Sequence, residues 1–258
     1  MSDAGGSEAG DERPAATAPQ KASVPEGEVA RLLAHADDNL ILSQRLGEWI
    51  SNAPELEIDI ALANIALDHL GVARALYTCA AELEGAGRAE DDLAMFRSER
   101  EFTNALLVEQ PNGDFARTMI RQLLFDAYQS ELWDDLSKSG GEAVGIAAKA
   151  LKEASYHLRF SSRWVIRLGD GTEESRQRAQ TALDELWPYT GELFEGDAAR
   201  YRGAWRSVVE GVLAEATLEI PVGAHQHTGG RRGLHTEHLG HLLAEMQWVQ
   251  RSYPGLKW

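Results

Sequence analysis

From Val29 onward, apolar residues return every three to five positions along most of the chain, the spacing of helices with one buried face. The first run predicts a helix over about 28–51, carrying Leu32, Leu33, Leu40, Leu42, Leu46 and Trp49. Pro54 disfavours helical backbone at the residue before it, so Ser51-Asn52-Ala53-Pro54 stops that helix. A second, long helix is expected over about 55–83, where Ile58, Leu62, Ile65, Leu70, Ala73, Tyr77 and Ala80 share a face. Gly85 and Gly87 end it. The pattern then predicts helices at about 90–108, closed by Gln110-Pro111-Asn112-Gly113, and at about 114–137, closed by Ser139-Gly140-Gly141. A fifth helix, about 142–168, sets Ala147, Leu151, Ala154, Leu158, Ser161, Val165 and Leu168 on one face. Thr172, followed by Glu173 and Glu174, suits the start of a sixth at about 173–194. A seventh follows at about 198–219, then a Gly-rich loop over 221–233 and a last helix at about 234–252. No Val, Ile or Thr run alternates with period two. Long helices with short connections pack as antiparallel neighbours, so the expected fold is an all-α bundle.

Residues 1–27 lack Leu, Ile and aromatic side chains, so they are expected to form a disordered extension. Residues 28–258 are expected to make one helical domain. The formal net charge of -16 argues against a nucleic-acid partner, which would need clustered bases. No apolar stretch approaches the roughly 20 residues of a membrane span, and no signal-peptide pattern opens the chain. The single cysteine, Cys79, allows no internal disulfide and fits a reducing cytoplasm.

Candidate chemistry lies in three places. A ferritin-like bundle builds a dinuclear metal site from one carboxylate on each of two helices and Glu-x-x-His on each of two others. Here the fifth helix offers Glu153-Ala154-Ser155-Tyr156-His157, with Ala154, not Glu, three before His157. The second helix offers Asp68, but Gly71 stands three after it, and the adjacent His69 points about 100° away around the helix. Asp126, with Glu48 or Gln44, could complete only a partial set. The alternative for Asp68, Asp126 and His157 is a buried hydrogen-bonded network that fixes helix register.

The second place holds five of the eight histidines, His225, His227, His235, His238 and His241. The pairs His235/His238 and His238/His241 have i, i+3 spacing, which suits either a metal or a polar helix face. The third is Thr228-Gly229-Gly230-Arg231-Arg232-Gly233, before the last helix. Its backbone amides, with Arg231 and Arg232, could hold an anion, or it could simply connect two helices. It lacks the spacing of a P-loop.

Several blocks together resemble one family. They include Leu42-Ser43-Gln44-Arg45-Leu46-Gly47-Glu48-Trp49, Leu107-Val108-Glu109-Gln110-Pro111-Asn112-Gly113, Tyr156-His157-Leu158-Arg159-Phe160-Ser161, and Gly233-Leu234-His235-Thr236-Glu237-His238-Leu239-Gly240. Over about residues 35–258 the chain is similar to the PaaC-type subunit of bacterial phenylacetyl-CoA epoxidase. The resemblance implies a ferritin-like helical bundle with additional helices. It implies a cytoplasmic, non-catalytic structural subunit of a multicomponent monooxygenase of phenylacetate breakdown. The catalytic, PaaA-type subunit would hold the di-iron centre, a reductase subunit would pass electrons from NADPH, and the complex would bind phenylacetyl-CoA. No metal is expected in this chain, in which Asp68, Asp126, Glu153 and His157 would be vestigial positions. The catalytic subunit's motif, Lys-Glu-Glu-Ser-Phe-His, falls on Lys152-Glu153-Ala154-Ser155-Tyr156-His157, so its metal-binding Glu is Ala154 here. The rival reading is a di-iron oxygenase using Asp68, Asp126, Glu153 and His157 as a variant set.

Overall fold

A computed structural model describes Met1 and residues 27–256. The expectation of a disordered extension therefore falls almost wholly outside the described residues. Among those residues there are ten α-helices and no strand, the all-α bundle that the sequence led us to expect. The frame is two helical hairpins. Helix α1 (Glu28–Gly47) pairs along its length with α2 (Leu56–Glu84), and α5 (Phe115–Lys138) pairs likewise with α6 (Val144–Gly169). Between the hairpins backbone approach is looser, as α2 with α6. Side chains fill that middle layer, and the polar residues described below lie there. Helices α7 (Glu173–Leu186) and α8 (Arg202–Glu215) pack on the second hairpin, while α9 (Glu237–Met246) and α10 (Trp248–Ser252) close the chain.

Helix α1 is the inner member of its hairpin. Every residue from His35 to Ser43 is buried, including His35, Asp37, Asp38 and Asn39. A run of polar groups inside a core is stable only if each finds partners. Those partners come mostly from the segment read from the sequence as one helix over 90–108. That expectation is corrected. The segment forms α3 (Glu90–Met95), a 3-10 turn at Glu99–Glu101 and a single turn α4 (Leu106–Glu109). Its backbone leaves the helical path because side chains capture its amides. Asp37 accepts from Thr103 N at 2.8 Å, Asp38 from Ala105 N at 2.7 Å and Glu192 from Leu106 N at 2.8 Å. The helix over 173–194 likewise ends early, at Leu186. Pro188 and the buried Glu192 lie in 3-10 turns beyond it, and α8 begins only at Arg202.

Candidate functional site

Three side chains from three helices meet between the hairpins. One potential ligand atom of each of His69 on α2, Asp126 on α5 and His157 on α6 lies within 4.8 Å of those of the other two. All three residues are buried to 2% exposure or less. Among the described residues this is the one group of histidine, cysteine or carboxylate side chains so arranged.

Each member is held from behind. His69 Nδ1 lies 2.8 Å from Asn39 Oδ1, which also accepts from Gln129 Nε2 at 3.0 Å. An amide oxygen only accepts, so His69 Nδ1 carries the proton and Nε2 keeps its lone pair. Burial, helped by the His157 ring and Arg121, lowers the pKa of His69 well below the ordinary imidazole value. His157 Nε2 lies 3.0 Å from Asp68 Oδ2 at the rim, and its Nδ1 is buried. Asp126 Oδ2 accepts from the Ser161 hydroxyl at 2.8 Å, and burial pushes its carboxyl up to about 7. His69 Nε2, His157 Nδ1 and Asp126 Oδ1 have no protein partner. The two imidazole rings sit 5.0 Å apart, centroid to centroid.

The register of α2 corrects the sequence reading. His69, set aside because it points away from Asp68, is the residue turned into the core, while Asp68 stands at the edge and supports His157. The signal was present in the helical pattern: 62, 65, 69, 72 and 76 continue the buried stripe, and His69 is one of them. On α1 neither Gln44 nor Glu48 reaches the site. Glu48 pairs with Arg45 at 2.8 Å, and α1 contributes Asn39 instead. Glu153 pairs with Lys149 at 3.3 Å on the flank of α6, and Ala154 takes the core-facing place. A dinuclear centre of the ferritin-like kind needs carboxylates from all four core helices. The triad holds one carboxylate, so these residues do not fit a di-iron centre.

The five C-terminal histidines do not converge. His235 lies before α9, with Nδ1 2.8 Å from Glu109 and Nε2 2.9 Å from the Phe102 carbonyl. Burial opposes its charge most, but the hydrogen bond to Glu109, that carboxylate's charge and the Phe102 carbonyl together outweigh it and raise its pKa. His227 packs on Tyr189, ring centroids 4.8 Å apart, and His225 and His241 are exposed.

In the 228–233 loop, Gly229 N and Arg231 N donate to Glu192 Oε1 at 2.7 and 3.3 Å. Arg231 spans both oxygens of Asp38 at 3.0 and 2.7 Å, and bonds the Ala34 and Thr103 carbonyls. The anions this loop meets in the structure are the protein's own. Arg232 remains on the surface, 3.9 Å from Glu195. A cavity of about 860 Å³ beside Arg231, bordered by Arg31, His35, Tyr128 and Tyr201, contains none of the triad.

An all-α bundle with two histidines and an aspartate buried together between its hairpins is the class the structure defines, and likeness to known proteins gives its family. Residues 13–258 match the family described as phenylacetic acid catabolic protein, and the chain belongs to that family. The match begins upstream of the resemblance read from the sequence. The chain is 50% identical to the C subunit of 1,2-phenylacetyl-CoA epoxidase of Escherichia coli (strain K12) over 244 residues, 89% of this chain and 98% of that protein.

Proposed function

We propose that the chain serves as the C subunit of a 1,2-phenylacetyl-CoA epoxidase, where it is a non-catalytic partner of the di-iron, PaaA-type subunit. One observation carries the reading: the cluster of potential ligands between the hairpins holds a single carboxylate, Asp126, where a dinuclear centre needs four. Ala154 on the core face of α6 accounts for one of the losses. The two irons therefore belong to the partner, with electrons arriving from NADPH through a reductase subunit, and the complex works in the cytoplasm. A docking face is available for the pairing. On α2, Leu56, Ile60, Leu67 and Leu70 are exposed at near-heptad spacing, and Tyr156 is exposed on the adjoining α6. Such a stripe suits burial against another helical subunit. No helix of the described residues is long and apolar enough to cross a membrane.

The rival reading, catalysis by Asp68, Asp126, Glu153 and His157, requires those four to share a metal pair. Glu153 and Asp68 do not join Asp126 and His157 in the convergent group, which His69 completes instead. Co-expression with the PaaA-type partner, followed by iron analysis of each separated chain, tests the proposal. A stable complex with the two-iron, redox-active centre in the partner is the expected result. Two redox-active irons in this chain, or turnover by it alone, would overturn it. Glu153→Ala is expected to leave turnover of the complex unchanged.

A further inference from the structure

We propose that His69, Asp126 and His157 form a mononuclear site for a divalent transition-metal ion, zinc or ferrous iron by its donor set. The proposal stands on the three side chains themselves and is independent of whether the chain is catalytic. Three features point the same way.

Each member keeps one buried atom without a protein partner. His69 Nε2 is unprotonated because Nδ1 donates to Asn39. His157 turns Nε2 to the Asp68 carboxylate, so its Nδ1 keeps the lone pair and, like Asp126 Oδ1, is buried without a protein partner. A proton on Asp126 can join it to only one of the two imidazoles, whereas a cation joins all three groups at once. Two neutral imidazoles and one carboxylate are a first-row transition-metal set, whereas magnesium and calcium prefer all-oxygen sites.

The second feature is the outer layer. A ligating histidine usually donates its other ring N–H to a carboxylate or carbonyl, and a ligating carboxylate is itself hydrogen-bonded. Asn39 behind His69, Asp68 behind His157 and Ser161 behind Asp126 reproduce that arrangement at 2.8, 3.0 and 2.8 Å. A network meant only to fix helix register has no need to leave one inward lone pair on every member.

The third is space and access. Metal–ligand bonds of about 2.0–2.2 Å set neighbouring ligand atoms roughly 3–4 Å apart. The triad, at up to 4.8 Å, closes on an ion with side-chain movements of about 1 Å. Gln122, one turn before Asp126 on α5, has both amide atoms unpartnered and can hydrogen-bond a water completing the coordination. Arg121 carries a like charge nearby, but it is directed to the α4–α5 connection, where it donates to the Gln110 carbonyl at 2.6 Å and Asn112 Oδ1 at 2.7 Å. Asp68, partly exposed, marks the side from which an ion enters.

The test is a Co2+ titration of the chelator-treated full-length chain, followed by visible absorption, with Zn2+ competition. One Co2+ per chain is expected, displaced by Zn2+. His69→Leu and Asp126→Asn should each weaken binding at least about 100-fold, and Asp68→Asn about 10-fold or more, as for residues that orient a ligand. Circular dichroism checks that each variant keeps its helices. The double variant His225→Ala/His227→Ala, on the exposed loop, should bind as wild type. No binding by the wild-type chain overturns the proposal, whatever the variants do. So does binding that survives in folded Asp126→Asn and His69→Leu, or that is lost only with His225 and His227. A single inert ion leaves the structural-subunit reading intact, whereas two irons with turnover would overturn that reading.

Discussion

The carboxylate of Asp37, in the middle of α1, is clamped by the guanidinium of Arg97, which lies just beyond α3, in full burial. Arg97 Nη1 donates to Oδ2 at 3.1 Å and Nη2 to Oδ1, while Tyr77 donates its hydroxyl to Oδ1 at 2.6 Å. Thr103 adds its amide and hydroxyl, so the charge is both paired and hydrogen-bonded. Removing one partner strands the other in the core. Arg97→Ala should destabilise the chain by about 3–5 kcal/mol in urea unfolding. The double variant Arg97→Met/Asp37→Leu should recover much of that loss, because no buried charge is then left alone.

Glu192 plays the corresponding part for two loops. It accepts from Leu106 N on one side and from Gly229 N and Arg231 N on the other. Glu192→Ala should lose about 1–3 kcal/mol for each buried amide left without an acceptor. Limited proteolysis should show faster cleavage within 221–233, while the α1–α2 hairpin stays resistant.

His235 gives stability a pH dependence. Its side chain is fully buried against Glu109, and the pair raises its pKa above the ordinary 6.5. A cation with a raised folded-state pKa contributes fully below its unfolded value and loses that contribution as pH climbs through the folded value. Wild-type stability should therefore decline as pH rises above about 6.5. His235→Gln should be less stable at pH 6 and show a flatter profile above it, as read by thermal midpoints across pH.

Gly169, the last residue of α6, sits against the Ala216 carbonyl at the end of α8, where a Cβ would collide with backbone. Gly169→Ala should cost about 1–3 kcal/mol by forcing α6 and α8 apart. Gly211→Ala, on α8 with open space around it, should be neutral or slightly stabilising in the same assay.

The bundle was legible in the sequence because α2, α5 and α6 carry long apolar stripes, and periodicity reports such faces directly. The 90–108 stretch was not. Its composition is helical, but the decisive acceptors, Asp37, Asp38 and Glu192, lie about 70 residues upstream and 90 downstream, and no local pattern reveals them. The site was read in part. Asp126, His157 and the loss at Ala154 followed from residue types and spacing. His69 does not fit a Glu-x-x-His pattern, and only the α2 stripe shows which neighbour faces inward. Arg231 read as a free anion binder because its partner, Asp38, is 193 residues away.

That separation also orders events in time. Helix α1 leaves the ribosome ahead of its partners: Asp37 meets Arg97 60 residues later, and Asp38 meets Arg231 193 residues later. At about 5–20 residues per second, Asp38 waits roughly 10–40 s for its counter-charge. Until then α1 has no satisfactory place in a core, and the nascent hairpin must stay open to water. The chain is thus built to complete itself only when its last segments emerge. Losing the end beyond 228 would leave the opening helix with an acid it cannot bury.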